Sequence, residues 1–119
     1  MGYISHSAII VTVGDWMGGL EEFKETFNLL RETPLKFDGT AARYMPEPTK
    51  GINGYYTFFV APDGSKEGWD ESDEMDKVRE KVKIAAQKIP YADIVTLRFG
   101  GDDHNRLDAE MYENEEVDE

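Results

Sequence analysis

The sequence predicts an α+β domain of the ferredoxin-like type, βαββαβ, in which two helices cover one face of a four-stranded antiparallel sheet. Three observations predict it. Runs of β-branched and aromatic residues alternate with two amphipathic helical patterns. These elements follow one another in the order strand, helix, strand, strand, helix, strand. Each helical pattern has a single apolar stripe, so both helices need the same sheet face to cover them.

Four segments are predicted as strands. They are residues 8–13, 41–45, 55–61 and 92–99. The first and third are the clearest, because β-branched or aromatic side chains dominate both. The second is the weakest element, a short apolar run that two prolines close off. In the last strand, alternation predicts Val95, Leu97 and Phe99 on the helix-covered face, with Thr96 and Arg98 on the other.

Two segments have the apolar spacing of helices. In the first, the stripe consists of Leu20, Phe23, Phe27 and Leu30. The helix is expected to stop at Thr33, because the residue before Pro34 is pushed out of helical geometry. In the second, the stripe consists of Met75, Val78, Val82, Ala85 and Ile89. Asp70 or Ser72 is the predicted N-cap, and Pro90 ends the helix.

The composition is that of a strongly acidic chain without cysteine. Its 119 residues hold 25 acidic and 13 basic side chains, for a formal net charge of -12. Direct binding to nucleic acid is not expected, because phosphate contacts need an excess of Lys and Arg. The absence of cysteine excludes disulfides and thiolate chemistry. The N-terminal segment has neither the basic start of a signal peptide nor the length of a membrane span, so no membrane partner is expected.

The acidic residues are concentrated in the second half of the chain. Residues 1–61 hold five basic and seven acidic side chains, net -2, and residues 62–119 hold eight and eighteen, net -10. From residue 102 onwards, nine acidic side chains accompany Arg106 and few apolar groups, too few to offset the entropy of ordering this segment. The sequence therefore predicts a single domain over residues 1–101. Residues 102–119 are predicted to form a mobile acidic tail, with one short amphipathic turn around Leu107 to Tyr112.

Few side chains are grouped as catalysis requires. Ser5 and His6 are adjacent on a strand and point to opposite faces, out of the hydrogen-bond reach that a Ser–His pair needs. Asp102, Asp103 and His104 are metal ligands by type, but they begin the predicted tail rather than a rigid site. We therefore expect a protein that is not an enzyme, with no catalytic residues, no cofactor and no metal.

The middle of the chain resembles a known group of proteins. Asn53-Gly54-Tyr55, the run from Phe58 to Trp69, and Ser72-Asp73 are similar to a segment of small uncharacterised accessory proteins of tailed bacteriophages. Residues 6–12 are similar to the N-termini of the same proteins. The resemblance implies a phage or prophage origin, and hence the cytoplasm of a host bacterium. It implies no catalytic residues.

The first functional hypothesis is an acidic inhibitor that docks on a basic, nucleic-acid-binding surface of a host protein. Carboxylates spaced on a rigid frame can imitate backbone phosphates, and complementary charge speeds association. The candidate partner-binding residues lie in the loop before the second helix and at the start of that helix. They are Asp63, Lys66, Trp69, Asp70, Glu71, Asp73 and Glu74. A purely structural role, with Trp69 packed over the helix start, is the alternative for this loop.

The second hypothesis is a module that captures a small ligand on the helix-free face of the sheet. The candidate ligand-binding residues are His6, Tyr55, Phe59 and Arg98. The third hypothesis is a homo-oligomeric structural protein, whose partner is a second copy of the chain. The alternative for the helix-free face is that residues 34–52 or a second subunit cover it, because a large uncovered apolar patch indicates a partner.

Overall fold

The structure is a computed structural model that describes residues 4–37, 39–66, 68–102 and 107–112. Within these residues the chain is α+β, with one five-stranded antiparallel sheet in the order β2-β3-β1-β4-β5 and two α-helices. The strands are β1 (His6–Gly14), β2 (Thr49–Lys50), β3 (Tyr55–Val60), β4 (Asp93–Phe99) and β5 (Leu107–Tyr112). The helices are α1 (Leu20–Leu30) and α2 (Asp70–Ala86).

Both helices pack on the same face of the sheet, as the apolar stripes predict. Alternate side chains of β1, namely Ile9, Val11 and Val13, are buried in one core with Phe23 and Phe27 of α1. The stripe of α2 enters the same core through Met75, Val78, Val82 and Ala86. Fully burying one large apolar side chain contributes about 1.5–3 kcal/mol, so this core is the main source of stability.

The predicted second strand is wrong. Residues Ala41–Tyr44 form a 3-10 turn, in which the Thr40 hydroxyl accepts a hydrogen bond from the Ala42 amide. Ala41 and Met45 are apolar because they enter the core from this turn, not from a strand. On its outer edge, β3 pairs with β2, which starts only after Pro48. Proline has no amide hydrogen to donate to a ladder, so pairing begins beyond it.

The sheet has five strands where four were predicted. The additional strand β5 pairs with β4 along its whole length, and it lies within the segment predicted as a tail. Asp102 is also tied to the domain, since its carboxylate accepts a hydrogen bond from the Ile4 amide at 2.8 Å. The amphipathic turn predicted around Leu107 is therefore a strand. Residues 103–106 and 113–119 lie outside the described part of the chain, and the domain boundary at residue 101 stays a prediction.

The face predicted for the side chains of β4 is also wrong. Ile94, Thr96 and Arg98 pair with Val11, Ile9 and Ser7, so they share the helix-covered face. Val95, Leu97 and Phe99 therefore lie on the helix-free face. Ile94 is fully buried in the core, but beyond it the helix-covered side of β4 borders a cleft lined by charged side chains of α2. Polar Thr96 and Arg98 fit that cleft, which reverses the expected pattern.

The ends of the helices differ slightly from the prediction. The first helical residue of α2 is Asp70, and Trp69 occupies the N-cap position without a side-chain capping bond. The predicted caps Asp70 and Ser72 therefore both lie inside the helix. Helix α2 ends at Ala86, before Pro90, and α1 ends at Leu30, before Pro34.

Gly19 is a position where the fold requires glycine. It immediately precedes α1 with φ at 147°, and a Cβ atom built on it would lie 2.5 Å from the Pro90 carbonyl oxygen. We expect Gly19→Ala to destabilise the fold by about 2 kcal/mol, through backbone strain and this contact together. Gly18→Ala is the matched control, because Gly18 also has a positive φ of 83° but has open space around it. Chemical denaturation of both variants checks this, and equal losses would contradict the contact with Pro90.

Candidate functional site

The helix-free face of the sheet is the most distinctive surface of the described chain. Cross-strand pairing places alternate side chains of β1, β3, β4 and β5 on it. We call these residues the open face: His6, Ala8, Ile10, Thr12, Tyr55, Thr57, Phe59, Val95, Leu97, Phe99, Leu107, Ala109 and Met111. Twelve of the thirteen are apolar, aromatic or hydroxyl-bearing, and the thirteenth is His6. The open face is therefore an apolar surface on a strongly acidic chain.

Large side chains on the open face are accessible to solvent. Leu107 and Met111 of β5 are each 70% exposed, and Tyr55 and Phe59 of β3 are 40% and 38% exposed. The 3-10 turn after β1 extends the face, because the ring of Trp16 covers Gly14 and contacts Tyr55 with ring centroids 4.8 Å apart. The largest apolar patch on a protein surface is often an interaction site.

Charge is nearly absent from the open face. Among the described residues of these strands, Asp93 is the acidic or basic residue whose side chain lies on the open face. It is the first residue of β4, and it pairs with Thr12. The neighbouring charged residues of β5, Asp108 and Glu110, pair with Arg98 and Thr96 and so lie on the other side of the sheet. The net charge of -12 is therefore carried by the rest of the surface.

The polar groups near the centre of the open face bond to each other. Thr12 on β1 and Thr57 on β3 are directly paired, and their hydroxyl oxygens are 2.9 Å apart. At one end of the face, the imidazole of His6 packs on the ring of Phe99 with centroids 5.5 Å apart. No hydrogen-bond partner for the His6 Nδ1 atom lies within the described residues.

The residues 34–52 do not cover the open face. Leu35, Ala41 and Met45, which are the buried apolar side chains of this segment, join the core on the helix side of the sheet. The expectation that this segment shields the open face is therefore wrong.

The four candidate ligand-binding residues do not form one site. His6, Tyr55 and Phe59 lie on the open face, whereas Arg98 lies on the opposite face, where its Nε donates to the Ser5 hydroxyl at 3.2 Å. His6 and Tyr55 are also far apart. Tyr55 pairs with Gly14, eight residues along β1 from His6, which is about 26 Å at the usual rise per residue.

The acidic start of α2 forms a second, separate surface. Asp70 and Asp73 are exposed, and Glu71 is half-buried. The Glu74 carboxylate has an internal role, since it accepts the Lys36 amide with both oxygens, at 2.9 and 3.1 Å. Together with Lys36, Phe37 and Lys77, these acids line an open cleft of about 600 Å³.

The remaining predicted residues lie in the loop before α2, and they differ in their exposure to solvent. Trp69 is 47% exposed, and the Lys66 ammonium lies 5.8 Å from the centre of its ring. Asp63, by contrast, has a side chain that is only 8% exposed. Its carboxylate accepts hydrogen bonds from the Ser65 amide and hydroxyl and from Arg79 of α2. Asp63 therefore fixes the loop to the helix, and Trp69 and Lys66 are the parts of the loop that a partner could reach.

A polar cleft of about 860 Å³ separates α2 from the outer strands β4 and β5. Arg79 and Lys83 of α2 border it on one side, and Arg98 and Glu110 border it on the other. No sequence pattern predicts this cleft, because it depends on β5 and on the true face of Arg98. The same is true of the outer part of the open face, although the alternation of Leu107, Ala109 and Met111 with acidic residues is a strand pattern.

Comparisons with protein-family models, with curated proteins and with solved structures found no match for this chain. Among the described residues, no helix is both long and apolar enough to cross a membrane. Of the residues considered as metal ligands, Asp103 and His104 lie outside the described part of the chain.

Proposed function

We propose that this chain is a non-enzymatic binding protein that docks on another protein molecule through the open face. The single observation that carries this proposal is the open face itself, an accessible apolar surface almost free of charge on a chain of net charge -12. Burying apolar surface contributes about 25 cal/mol per Å², so covering this face with a partner is favourable.

We also propose that β1 to β4 and the two helices form a ferredoxin-like unit, to which β5 is added at one edge. Two features support this. The order β2-β3-β1-β4 with antiparallel neighbours is that of a βαββαβ unit. Helix α1 connects β1 to β2, and α2 connects β3 to β4, so each helix joins strands separated by one other strand.

The placement of Ser7 and His6 supports a non-enzymatic role. Ser7 lies on the helix-covered face, where its carbonyl oxygen accepts a hydrogen bond from Arg79 at 3.5 Å. His6 lies on the opposite face against Phe99. A hydroxyl and an imidazole on opposite faces of a strand do not reach each other, so neither activates the other.

The second candidate function is docking of an acidic surface on a basic, nucleic-acid-binding host protein. The exposure of Asp70 and Asp73 at the start of α2, beside the accessible indole of Trp69, favours it. The resemblance of residues 53–73 to phage accessory proteins supports a bacterial host and its cytoplasm as the setting. The two candidates differ in the force that holds the partner, which is apolar burial in one and charge attraction in the other.

Retention of a partner from a bacterial lysate separates the two candidates. We expect Phe59→Lys to abolish retention, because it places a charge in the apolar contact. The double variant Asp70→Asn with Asp73→Asn should leave retention unchanged. The bound protein should also stay on the full-length chain when the salt is raised to about 0.5 M, where charge attraction is largely screened. Affinity purification followed by mass spectrometry measures all three.

The opposite result would support the second candidate function, in which the acidic start of α2 binds the partner. A partner that is lost at high salt, lost with the Asp70 and Asp73 double variant, and kept by Phe59→Lys is held by the start of α2. In that case the open face is not the docking surface, and the proposal is wrong.

A further inference from the structure

We propose that the partner of the open face is a second copy of this chain, and that two sheets pack face to face around a two-fold axis. This inference rests on the proposed use of the open face for docking, and it names the occupant. Three properties of the face point to self-association: its internal polar bonding, its lack of charge and its size.

Two of the hydroxyl groups on the open face already bond to each other. Thr12 and Thr57 share one hydrogen bond at 2.9 Å. Burying an unpaired hydroxyl opposes association, whereas a bonded pair carries a smaller cost. The neighbouring side chains Ile10, Phe59 and Val95 are apolar and pair directly across β1, β3 and β4, while the exposed Asp93 pairs with Thr12 at the start of β4. This arrangement resembles the inner layer of a two-sheet sandwich.

The charge distribution favours a second copy over a basic partner. A basic protein would be attracted to the acidic surfaces, and the open face offers it almost no opposite charge. Two copies of a chain with net charge -12 repel each other, so close approach costs least where charge is absent. Among the described surfaces, the open face meets that condition.

Two other segments of the sequence do not suit the open face. Residues 113–119 carry five acidic side chains and one apolar side chain, Val117. The buried apolar residues of segment 34–52 pack on the other side of the sheet, and residues 49 and 50 form the edge strand β2. A second copy supplies an apolar surface of matching extent, which these segments do not.

The size of the face indicates a weak dimer. Four strands, each about 4.8 Å wide in the sheet, and about six residues at about 3.3 Å give a footprint of roughly 400 Å² per copy. Two flat footprints sum to about 800 Å², below the roughly 1,200 Å² of the smallest stable interfaces, and protruding side chains such as Trp16 and Met111 add to this area. We expect a dissociation constant on the order of 10 μM.

Light scattering and sedimentation of the full 119-residue chain test the inference. We expect a mass of 27 kDa, twice the 13.5 kDa of one chain, at high protein concentration, with reversible dissociation on dilution. Raising the salt from about 0.05 to about 0.5 M should strengthen the dimer at least about threefold, because it screens the repulsion between the two acidic copies. A monomer at all concentrations up to about 0.5 mM, well above the expected constant, would overturn the inference.

Two variants with the same change of charge locate the interface. Phe59→Lys on the open face should weaken the dimer by about 30-fold or more, as loss of a central contact does. Leu29→Lys is the control, because Leu29 lies on α1, is 74% exposed and gains the same positive charge. It should dimerise like the parent chain. Met111→Lys, at a site 70% exposed, repeats the test where folding tolerates the change. Dissociation by Leu29→Lys instead would place the interface on the helices and contradict the inference.

The failure of this inference and the failure of the proposed function give different results. If the chain is monomeric but Phe59→Lys still abolishes retention of a foreign protein, the open face is a docking site and only self-association is wrong. If the chain is monomeric and Phe59→Lys changes no retention, both are wrong.

Discussion

Phe58→Ala is expected to destabilise the fold by about 4 kcal/mol, a large part of the roughly 5–15 kcal/mol that stabilises a domain of this size. Phe58 is fully buried on the helix-covered face of β3. Its ring contacts both aromatic residues of α1, with centroids 5.1 Å from Phe23 and 5.3 Å from Phe27. Truncation removes these contacts and leaves a cavity at the junction of α1 and the sheet, which the rigid β3 cannot close. Urea denaturation measures the loss.

The neighbouring residue provides the control for Phe58. Phe59 has the same side chain on the same strand, but it lies on the open face and is 38% exposed. Phe59→Ala should therefore cost less than about 1.5 kcal/mol, measured at a concentration where light scattering shows a monomer. Similar losses for the two variants would mean that the two faces of β3 are equally buried, contrary to the fold described above.

The elements that the sequence predicts well are those with a strong local pattern. Helix α1 and helix α2 have a single stripe each, and β1 has a run of β-branched residues, so local pattern and tertiary burial agree. The prediction of a second strand over residues 41–45 was wrong, because the buried side chains of this segment do not belong to a strand. Met45 is apolar and fully buried, but a 3-10 turn delivers it to the core. Periodicity over five residues cannot distinguish these two ways of burying a side chain.

The prediction of which face of β4 meets the helices was wrong for a different reason. Alternation reveals which residues share a face, and it did so correctly for Val95, Leu97 and Phe99. It does not reveal which face meets the helices when the helix-free face is itself apolar. The assignment of Arg98 to the ligand site followed from this error. A pairing register, which joins Ile94 to Val11, is needed to resolve it.

Strand β5 was not predicted, because its segment has an acidic composition. Its side chains Asp108, Ala109 and Glu110 are exposed, so burial contributes little to this strand. Its order comes from backbone hydrogen bonds to the edge of β4, and those depend little on side-chain type. Composition therefore predicted a tail where the edge of the sheet could accept another strand. The outer edge of the open face, formed by Leu107, Ala109 and Met111, was missed with it.

Arg79→Met is expected to destabilise the fold by about 3 kcal/mol, because it leaves the carboxylate of Asp63 buried without its cation. The two side chains are 11% and 8% exposed, and the Arg79 Nη1 atom lies 3.1 Å from the Asp63 carboxylate. Methionine keeps most of the apolar stem, so the loss reports the charge rather than packing. Asp76→Asn is the control. Asp76 binds the same guanidinium at 2.8 Å but is 63% exposed, and its loss should cost less than about 1 kcal/mol.

The double variant Arg79→Met with Asp63→Leu tests whether the loss comes from the unpaired carboxylate. Replacing a buried ion pair by apolar residues is often close to neutral, so most of the stability lost in Arg79→Met should return. The Asp63 carboxylate also accepts the Ser65 amide and hydroxyl, and the double variant loses these bonds. Recovery therefore falls short of complete by about 1 kcal/mol. A double variant no more stable than Arg79→Met would show that Asp63 acts mainly through Ser65, as the anchor of the loop that carries Trp69.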